Sequence, residues 1–462
     1  MMVRSSLNGG QAARRLGYDE GTAGKYGAAC IVLYLYFIFE YIRPQSSLVP
    51  FLGYLKIPMF LTLALFIFFL KGNKSILKDR LVRYTGLFVA LVAVSVFYAV
   101  NNYNAYTAFM GLLIVFAGII LVMPVVCDTG KRLSMFLKVW LIVHAYLAVY
   151  SLTHAGRGPG GFLYDENDFA LTLNMTLPLP IYLSLLSGIS VLTKWALRAV
   201  ALLMVIAVGA TLSRGGFLGM ISVFVMLWLL SSNRMARLMK AMLVIAVLGY
   251  PVYKMVPQSY IEEMSTITDE GDSTREDRLY FWGLGWDMFL DHPVFGVGAN
   301  NYPWNVPRYQ ISRPDFDSDR VRLAGGRPAH SLYFTLLPEL GLAGTGLYLL
   351  ILYHIVAKLR HIMRICNARG DMANYRLLAK AMAASLVTFL VTGAFISVLY
   401  YQPFWYLVAF ITTFHVFVTR EHSRHEKAIQ HDDEGAAPDR NGRAGRRRDR
   451  SGGNSGPLPG RI

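Results

Sequence analysis

In Pro328-Ala329-His330-Ser331-Leu332-Tyr333 a histidine stands immediately before a long apolar run. Its ordinary pKa near 6.5 suits a general base at neutral pH, and a helix N-terminus favours the neutral, proton-accepting ring. Arg214, in Thr211-Leu212-Ser213-Arg214-Gly215-Gly216, occupies a sharp turn between two apolar runs. Arg275 and Arg278, in Ser273-Thr274-Arg275-Glu276-Asp277-Arg278, lead into Arg278-x-x-x-Trp282, a spacing that puts cation and indole on one helical face. A guanidinium fork grips phosphate oxygens two at a time with permanent charge. Glu339 lies nine residues beyond His330 inside the apolar run, where a carboxyl group needs a partner. Asn167 and Asp168, in Asp165-Glu166-Asn167-Asp168-Phe169, precede another run; they are expected to cap it or to contact sugar hydroxyls. Such a set suits a lipid-linked phosphate or diphosphate together with a base for a hydroxyl. Each member also has an ordinary reading. Arg214 could snorkel to lipid phosphates, Glu276 or Asp277 could pair with one arginine, and His330 with Ser331 could cap a helix.

The elements that must hold these groups are membrane helices. Of 462 residues, 54% are hydrophobic and only 16% charged, well below the ~25% charged of soluble domains. Runs able to cross a ~30 Å hydrocarbon core fall at 26–42, 50–70, 84–100, 107–127, 139–153, 169–187, 199–212, 216–231, 241–256, 332–356, 378–398 and 405–419. The expected fold is therefore all-α, a polytopic inner-membrane protein with about 12 transmembrane helices. Collagen, coiled coil, disordered chain and soluble α/β enzyme are excluded. Cys30, Cys127 and Cys366 are far apart and form no metal spacing, and no DxD-like acid pair appears, so neither metal nor cofactor is expected. The net charge of +16 reads as loop lysines and arginines that fix topology rather than as a nucleic-acid surface.

Basic loops alternate with non-basic ones. Lys71 to Arg83, Lys131 to Lys138, Lys194 and Arg198, Arg234 to Lys240, and Lys358 to Lys380 mark the inside. The N-terminal segment 1–25, which lacks a cleavable signal pattern, and the basic tail 420–462 are then both cytoplasmic. Helices 1–9 occupy 26–256 and helices 10–12 occupy 332–419. Between them, 257–331 is one large periplasmic loop, too long for a plain connection and too rich in aromatics for disorder. Within it, Leu279, Trp282, Leu284, Trp286 and Phe289 predict an amphipathic helix ended by Asp291-His292-Pro293. Phe295-Gly296-Val297-Gly298 predicts a turn. The tail, with Arg446 to Arg450 and no apolar period, is expected to be disordered.

Three blocks resemble the O-antigen ligase and bacterial polysaccharide polymerase superfamily of membrane glycosyltransferases. They are Thr211-Leu212-Ser213-Arg214-Gly215-Gly216, Arg278-x-x-x-Trp282 with Asp291-His292-Pro293-Val294-Phe295-Gly296-Val297-Gly298, and His330-Ser331-Leu332-Tyr333 with Pro338-Glu339-Leu340-Gly341-Leu342. The segment Asp165-Glu166-Asn167-Asp168-Phe169-Ala170 is similar to an asparagine-containing loop of many members, and to the O-glycosylation ligases of exosortase gene systems. The resemblance runs from about 160 to 350. It implies a metal-independent, inverting glycosyltransferase that moves a glycan from an undecaprenyl-diphosphate carrier to an acceptor hydroxyl, on lipid A core or protein, at the periplasmic membrane face. Carried over by position, Arg214 and Arg278 neutralise the diphosphate and His330 acts on the acceptor hydroxyl. Arg275, Asn167, Asp168 and Glu339 fall to substrate binding, Glu339 by orienting His330 or an arginine. Ser331 departs from the family's usual asparagine. A polysaccharide repeat-unit polymerase shares donor and leaving group and stays open as the alternative. A transporter or flippase, which would show internal repeats and polar groups at mid-membrane, is the less favoured alternative, since no repeat relates the two halves and the polar cluster lies at the outer face beside the loop.

A reporter fused after residue 420 is expected to report cytoplasm and one inserted at Asp317 to report periplasm. Both on one side would overturn the twelve-span topology.

Overall fold

Short polar side chains fix where the helices begin. Asp79, Asn101, Thr129, Asp165, Ser190 and Ser213 each accept a hydrogen bond from a first-turn amide, which satisfies donors that a helix N-terminus leaves bare. The computed structural model describes residues 26–47, 55–72, 74–235, 239, 273–313, 316 and 325–435. The expected N-terminal segment, the ninth span (241–256), the loop portion 257–272 and the tail beyond 435 lie outside the described residues.

Among the described residues all regular structure is helical. We number the helices α1 (Gly27–Tyr41), α2 (Ile57–Leu70), α3 (Arg80–Ser95), α4 (Asn102–Val115), α5 (Gly130–Thr153), α6 (Glu166–Thr176), α7 (Pro178–Leu183), α8 (Val191–Ala210), α9 (Arg214–Leu229), α10 (Ser273–Asp291), α11 (Tyr302–Ile311), α12 (Tyr333–Ala368), α13 (Ala373–Thr392) and α14 (Gln402–Gly435). Among the described residues five stretches are long and apolar enough to cross a membrane: Asn102–Val126, Gly130–Thr153, Val191–Ala210, Tyr333–Ala368 and Gly370–Phe395. α1, α2 and α9 are shorter apolar helices. In the most apolar window of α8 only 22% is buried inside the protein, so lipid must cover the rest.

Several boundaries differ from the sequence reading. α3 starts at Arg80 rather than 84 because Asp79 caps it. α5 starts at Gly130, taking Lys131, Arg132 and Lys138 into the helix, with Arg132 tied to Asp128 at 2.6 Å. The single run 169–187 is two helices, α6 and α7, because Pro178 and Pro180 lack the amide that a continuous ladder needs.

Small residues let helices approach closely. A Cβ on Gly219 of α9 would lie 2.3 Å from Thr392 Oγ1 of α13 and 2.9 Å from Asn174 Nδ2 of α6. The interior around these contacts is aromatic: Phe37, Tyr41, Trp140 and Tyr406 interlock at one place, Phe88, Tyr348, Phe404 and Trp405 at another. Far along α12 from its start, Lys358 pairs with Asp79 and also meets His415, which contacts His361 at 3.0 Å. This chain of polar groups joins α3, α12 and α14. Arg420 onward is a separate unit, in which Arg424 pairs with Glu421 at 3.0 Å.

The loop segment folds as a unit with its own small core. Phe281, Leu284, Met288, Val297, Tyr302, Val306, Tyr309 and Ala329 pack together. The helix α10 is present and ends at Asp291 as its sequence predicts. Its buried face differs: Phe281, Leu284 and Met288 are inside, whereas Leu279 and Trp286 are exposed. The buried trio follows a spacing of three and four, which one side of a helix requires; of the predicted set Leu284 alone belongs to that side, while Leu279, Trp282, Trp286 and Phe289 share another.

Residues 293–298 are more than a turn, because α12 breaks beside them. Gly341 adopts φ 58°, ψ −158° three residues after Pro338. Val297 N and Gly298 N donate to the carbonyls of Pro338 and Glu339 at 2.9 Å each. Leu342 N and Ala343 N donate to Pro293 O and Val294 O at 2.8 and 3.0 Å. Thus the loop takes up the backbone groups that the broken helix releases. Glycine is required twice: a Cβ on Gly296 would lie 2.3 Å from the Glu339 carbonyl carbon, and one on Gly341 2.5 Å from the Val294 carbonyl group.

Gly296→Ala and Gly341→Ala should therefore both lower the thermal unfolding temperature in detergent, since positive φ alone costs about 1–2 kcal/mol before any overlap. Gly346→Ala, at an open position inside the helix, should not lower it. Equal temperatures for all three would contradict the paired break.

Candidate active site

The start of α12 is held by α10 and by the turn after α13. The turn before α12 carries His330 in a left-handed conformation (φ 48°). This turn is pinned on both sides: Leu332 N donates to Gly393 O at 2.6 Å, and Ala329 O accepts from Trp282 Nε1 at 2.9 Å. Trp282 also stacks on Phe334, with centroids 4.7 Å apart and rings 5° from parallel. The Arg278-x-x-x-Trp282 spacing hence brings its helix face against the histidine turn.

His330 remains reachable by solvent, yet the atoms around it strip enough water to disfavour the charged ring. Its pKa is lowered, first by that desolvation, then by Arg278 and Arg327, with Asp165 pulling the other way. Arg278, Arg327, Asp165 and His330 therefore share one electrostatic neighbourhood. Arg327 is held at 3.0 Å by Asp277 and lies over the Phe281 ring at 5.5 Å. The salt bridge expected within the 275–278 run is thus made across to Arg327 instead. The helix position of Arg275 is within α10; its side chain lies outside the described residues.

Arg214 opens α9. Leu212 takes φ 54° and Ser213 caps the helix, accepting from Gly216 N at 2.8 Å, so the hairpin expected at 211–216 is present. Ser213 Oγ also donates to Asn167 Oδ1 at 2.7 Å. One side chain thereby joins the Arg214 turn to the loop that carries Asp165. Gly216 is forced here as well, since a Cβ on it would meet Ala170 Cβ at 2.5 Å.

Neither Asn167 nor Asp168 caps α6. Asp165 does, accepting from Asn167 N at 2.8 Å and Asp168 N at 3.4 Å; it stands one residue before the first helical position, where a cap's side chain can reach the following amides. Asn167 instead bonds Ser213. Asp168 is only 6% exposed and takes a hydrogen bond from the Tyr401 hydroxyl, while its Oδ1 has no hydrogen-bond partner among the described residues.

Glu339, 1% exposed, serves the loop. Its carboxylate accepts from Asn300 N at 2.8 Å, Tyr302 N at 2.9 Å and Tyr400 Oη at 2.7 Å. Those bonds account for the partner its depth demands. The hydrogen bonds seen at this carboxylate go to loop amides and a tyrosine, where the sequence suggested His330 or an arginine. The reason is topological: α12 breaks at Gly341, which brings residues 293–302 against the acid. Next to it, Asn301 and Asn101 exchange two bonds of 2.7 and 3.1 Å, fastening the loop to the α3–α4 connection.

Arg327, Asp165 and Tyr400 were not singled out by sequence. Arg327 lies three residues before His330, which is a usable signal. Asp165 could have been read as the cap from its place ahead of Glu166. Tyr400 carried none, being sixty-one positions from its partner.

Residues 199–349 match the family model described as O-Antigen ligase. The match supports placing this region in the O-antigen ligase superfamily, in agreement with the motifs. It spans Arg214, Arg275, Arg278, His330 and Glu339, and it leaves out Asn167 and Asp168. The comparison with curated proteins gives no match.

The electrostatics make a directional prediction. In [¹³C]histidine-labelled protein the His330 ring, identified by loss of its signal in His330→Gln, should titrate below 6.5. Positive neighbours oppose the imidazolium, so Arg327→Ala should move the midpoint up and Asp165→Asn should move it down. No movement in either variant would separate these residues from His330.

Proposed function

We propose, on the premise that this chain is a member of the O-antigen ligase superfamily, that it transfers a glycan from an undecaprenyl-diphosphate carrier to an acceptor hydroxyl at the periplasmic face of the inner membrane. The observation that carries this reading is the shared neighbourhood of His330, Arg278 and Arg327, set on a helix start that is pinned from two sides. A base whose charged form is disfavoured is neutral at pH 7, so its ring nitrogen is available to take a proton from the acceptor hydroxyl. Fixed guanidinium groups beside it suit an anionic leaving group.

The step is a displacement at the anomeric carbon. The acceptor oxygen forms the new glycosidic bond while its proton passes to His330. The bond from the anomeric carbon to the diphosphate oxygen breaks, and its electron pair leaves on the diphosphate. Attack opposite the leaving group inverts the anomeric configuration. Arg214 and Arg278 stabilise the charge that develops, the kind of preorganised electrostatic term that dominates many enzymes. Their guanidinium groups take the part a divalent ion plays elsewhere, so the reaction is metal-independent. Asp165 faces the imidazolium formed in the step and favours it. Asn167, through Ser213, keeps the Arg214 turn in register with this loop; Asp168 and Glu339 support the site from behind, and Arg275 has a lesser part in donor binding.

The test is transfer from a synthetic lipid-diphosphate donor in proteoliposomes. His330→Ala, Arg214→Ala and Arg278→Ala should nearly abolish transfer while the protein still inserts. Loss of a general base typically costs about 10²–10⁴ in rate, and donor binding should persist in His330→Ala. Arg→Lys at 214 or 278 keeps charge but loses the fork and should stay impaired, whereas Arg275→Ala should be milder. Activity should survive EDTA. Full activity in His330→Ala, or a loss in EDTA restored by magnesium, would overturn this mechanism. Elongation of the donor glycan with no other acceptor present would identify a polymerase instead.

A further inference from the structure

We propose that a cavity between α1, α2 and α4 is a binding site for a phosphoethanolamine lipid, with Glu40 receiving the ammonium group. The cavity holds about 250 Å³, far more than the ~30 Å³ share of one water molecule. Glu40, Lys56 and Gln402 supply its polar lining, and Met59, Ile114 and Val115 its apolar wall.

Glu40 is the decisive residue. It is only 8% exposed, lines the cavity, and its carboxylate has no hydrogen bond or ion pair among the described residues. The Tyr36 hydroxyl next to it is already engaged with Tyr406 at 2.7 Å. Arg43 acts on Glu40 through space and donates to its backbone carbonyl at 3.2 Å. The Arg43 guanidinium itself lies over the Gly160–Gly161 turn, 2.2 Å from where a Cβ on Gly161 would stand. A carboxyl group at such depth in a membrane protein calls for a partner. The three polar groups of the site define that partner. A carboxylate and an amide oxygen accept hydrogen bonds from a primary ammonium, and Lys56, exposed just before the first turn of α2, meets a phosphate.

The chemistry also excludes the neighbours of this headgroup. A choline headgroup has no N–H to donate, and an anionic headgroup would face Glu40. The same argument separates this cavity from the diphosphate site, where arginines gather. Both Glu40, at the end of α1, and Lys56, just before α2, stand at the same end of the bundle as the Asp165 loop, since Arg43 reaches that loop. That end places the headgroup at the membrane boundary, with the apolar wall descending along its chains. This inference stands on Glu40 and its cavity and does not depend on glycan transfer.

The experiment is native mass spectrometry of the purified full chain, titrated with phosphatidylethanolamine, phosphatidylcholine and phosphatidylglycerol of identical acyl chains. Phosphatidylethanolamine should bind about tenfold more tightly than either other lipid, as a hydrogen-bonded charge pair implies. Glu40→Gln should erase that preference while leaving overall lipid adducts in place. Met59→Trp, which fills the cavity and keeps the carboxylate, should erase it too, so a folding defect in one variant does not decide the matter. Equal affinity for the three lipids, or an undiminished preference in Glu40→Gln, would overturn the site. Competition by soluble phosphoethanolamine as effective as that of the lipid would overturn the assignment to a membrane lipid.

Discussion

A helix that breaks inside a membrane protein must find partners for the backbone groups it releases, because lipid offers none. α12 breaks between Pro338 and Gly341, and residues 293–298 supply those partners through four backbone hydrogen bonds. Much of the site's geometry depends on this pairing. It draws the loop against the bundle, puts Asn300 and Tyr302 amides within reach of Glu339, and lets Tyr400 close the carboxylate from the other side. The acid therefore sits in a fully bonded setting and holds the loop that carries α10.

With the loop fixed, α10 presents two faces with different duties. Phe281, Leu284 and Met288 face the small core shared with Tyr302 and Val306. Trp282 turns to the start of α12, bonding Ala329 and stacking on Phe334. Arg278, one turn earlier, then falls into the neighbourhood of His330. Geometry of this kind comes from rigid elements and shared hydrogen bonds, which is what a charge-stabilising site needs. The Ser213–Asn167 bond does the same for the Arg214 turn.

Charge is concentrated at the two ends of the bundle and differs between them. At the His330 end, arginines outnumber the acids near the histidine, and the one acid that favours its protonation, Asp165, is spent mainly on capping α6. At the Lys358 end, Asp79, Lys358, His415 and His361 form a continuous polar chain that ties three helices together. The first arrangement sets positive charge beside the histidine, whereas the second links its groups to one another.

Composition and hydropathy alone determined an all-helical membrane chain, because a long apolar run has few ways to satisfy its backbone except as a helix. Local chemistry was equally legible: the end of α10 at Asp291-His292-Pro293, the hairpin at Ser213 and the candidate residues Arg214, Arg278 and His330 all follow from short-range rules of turns, caps and charge. What the sequence could not fix is which distant groups meet. Asn167 bonds Ser213, Arg327 rather than a neighbour pairs with Asp277, and Tyr400 bonds Glu339. The contacts of Glu339 depend on the break in α12, which brings residues 293–302 against it. Such contacts join residues tens of positions apart, and only the tertiary structure decides between partners that are chemically equivalent.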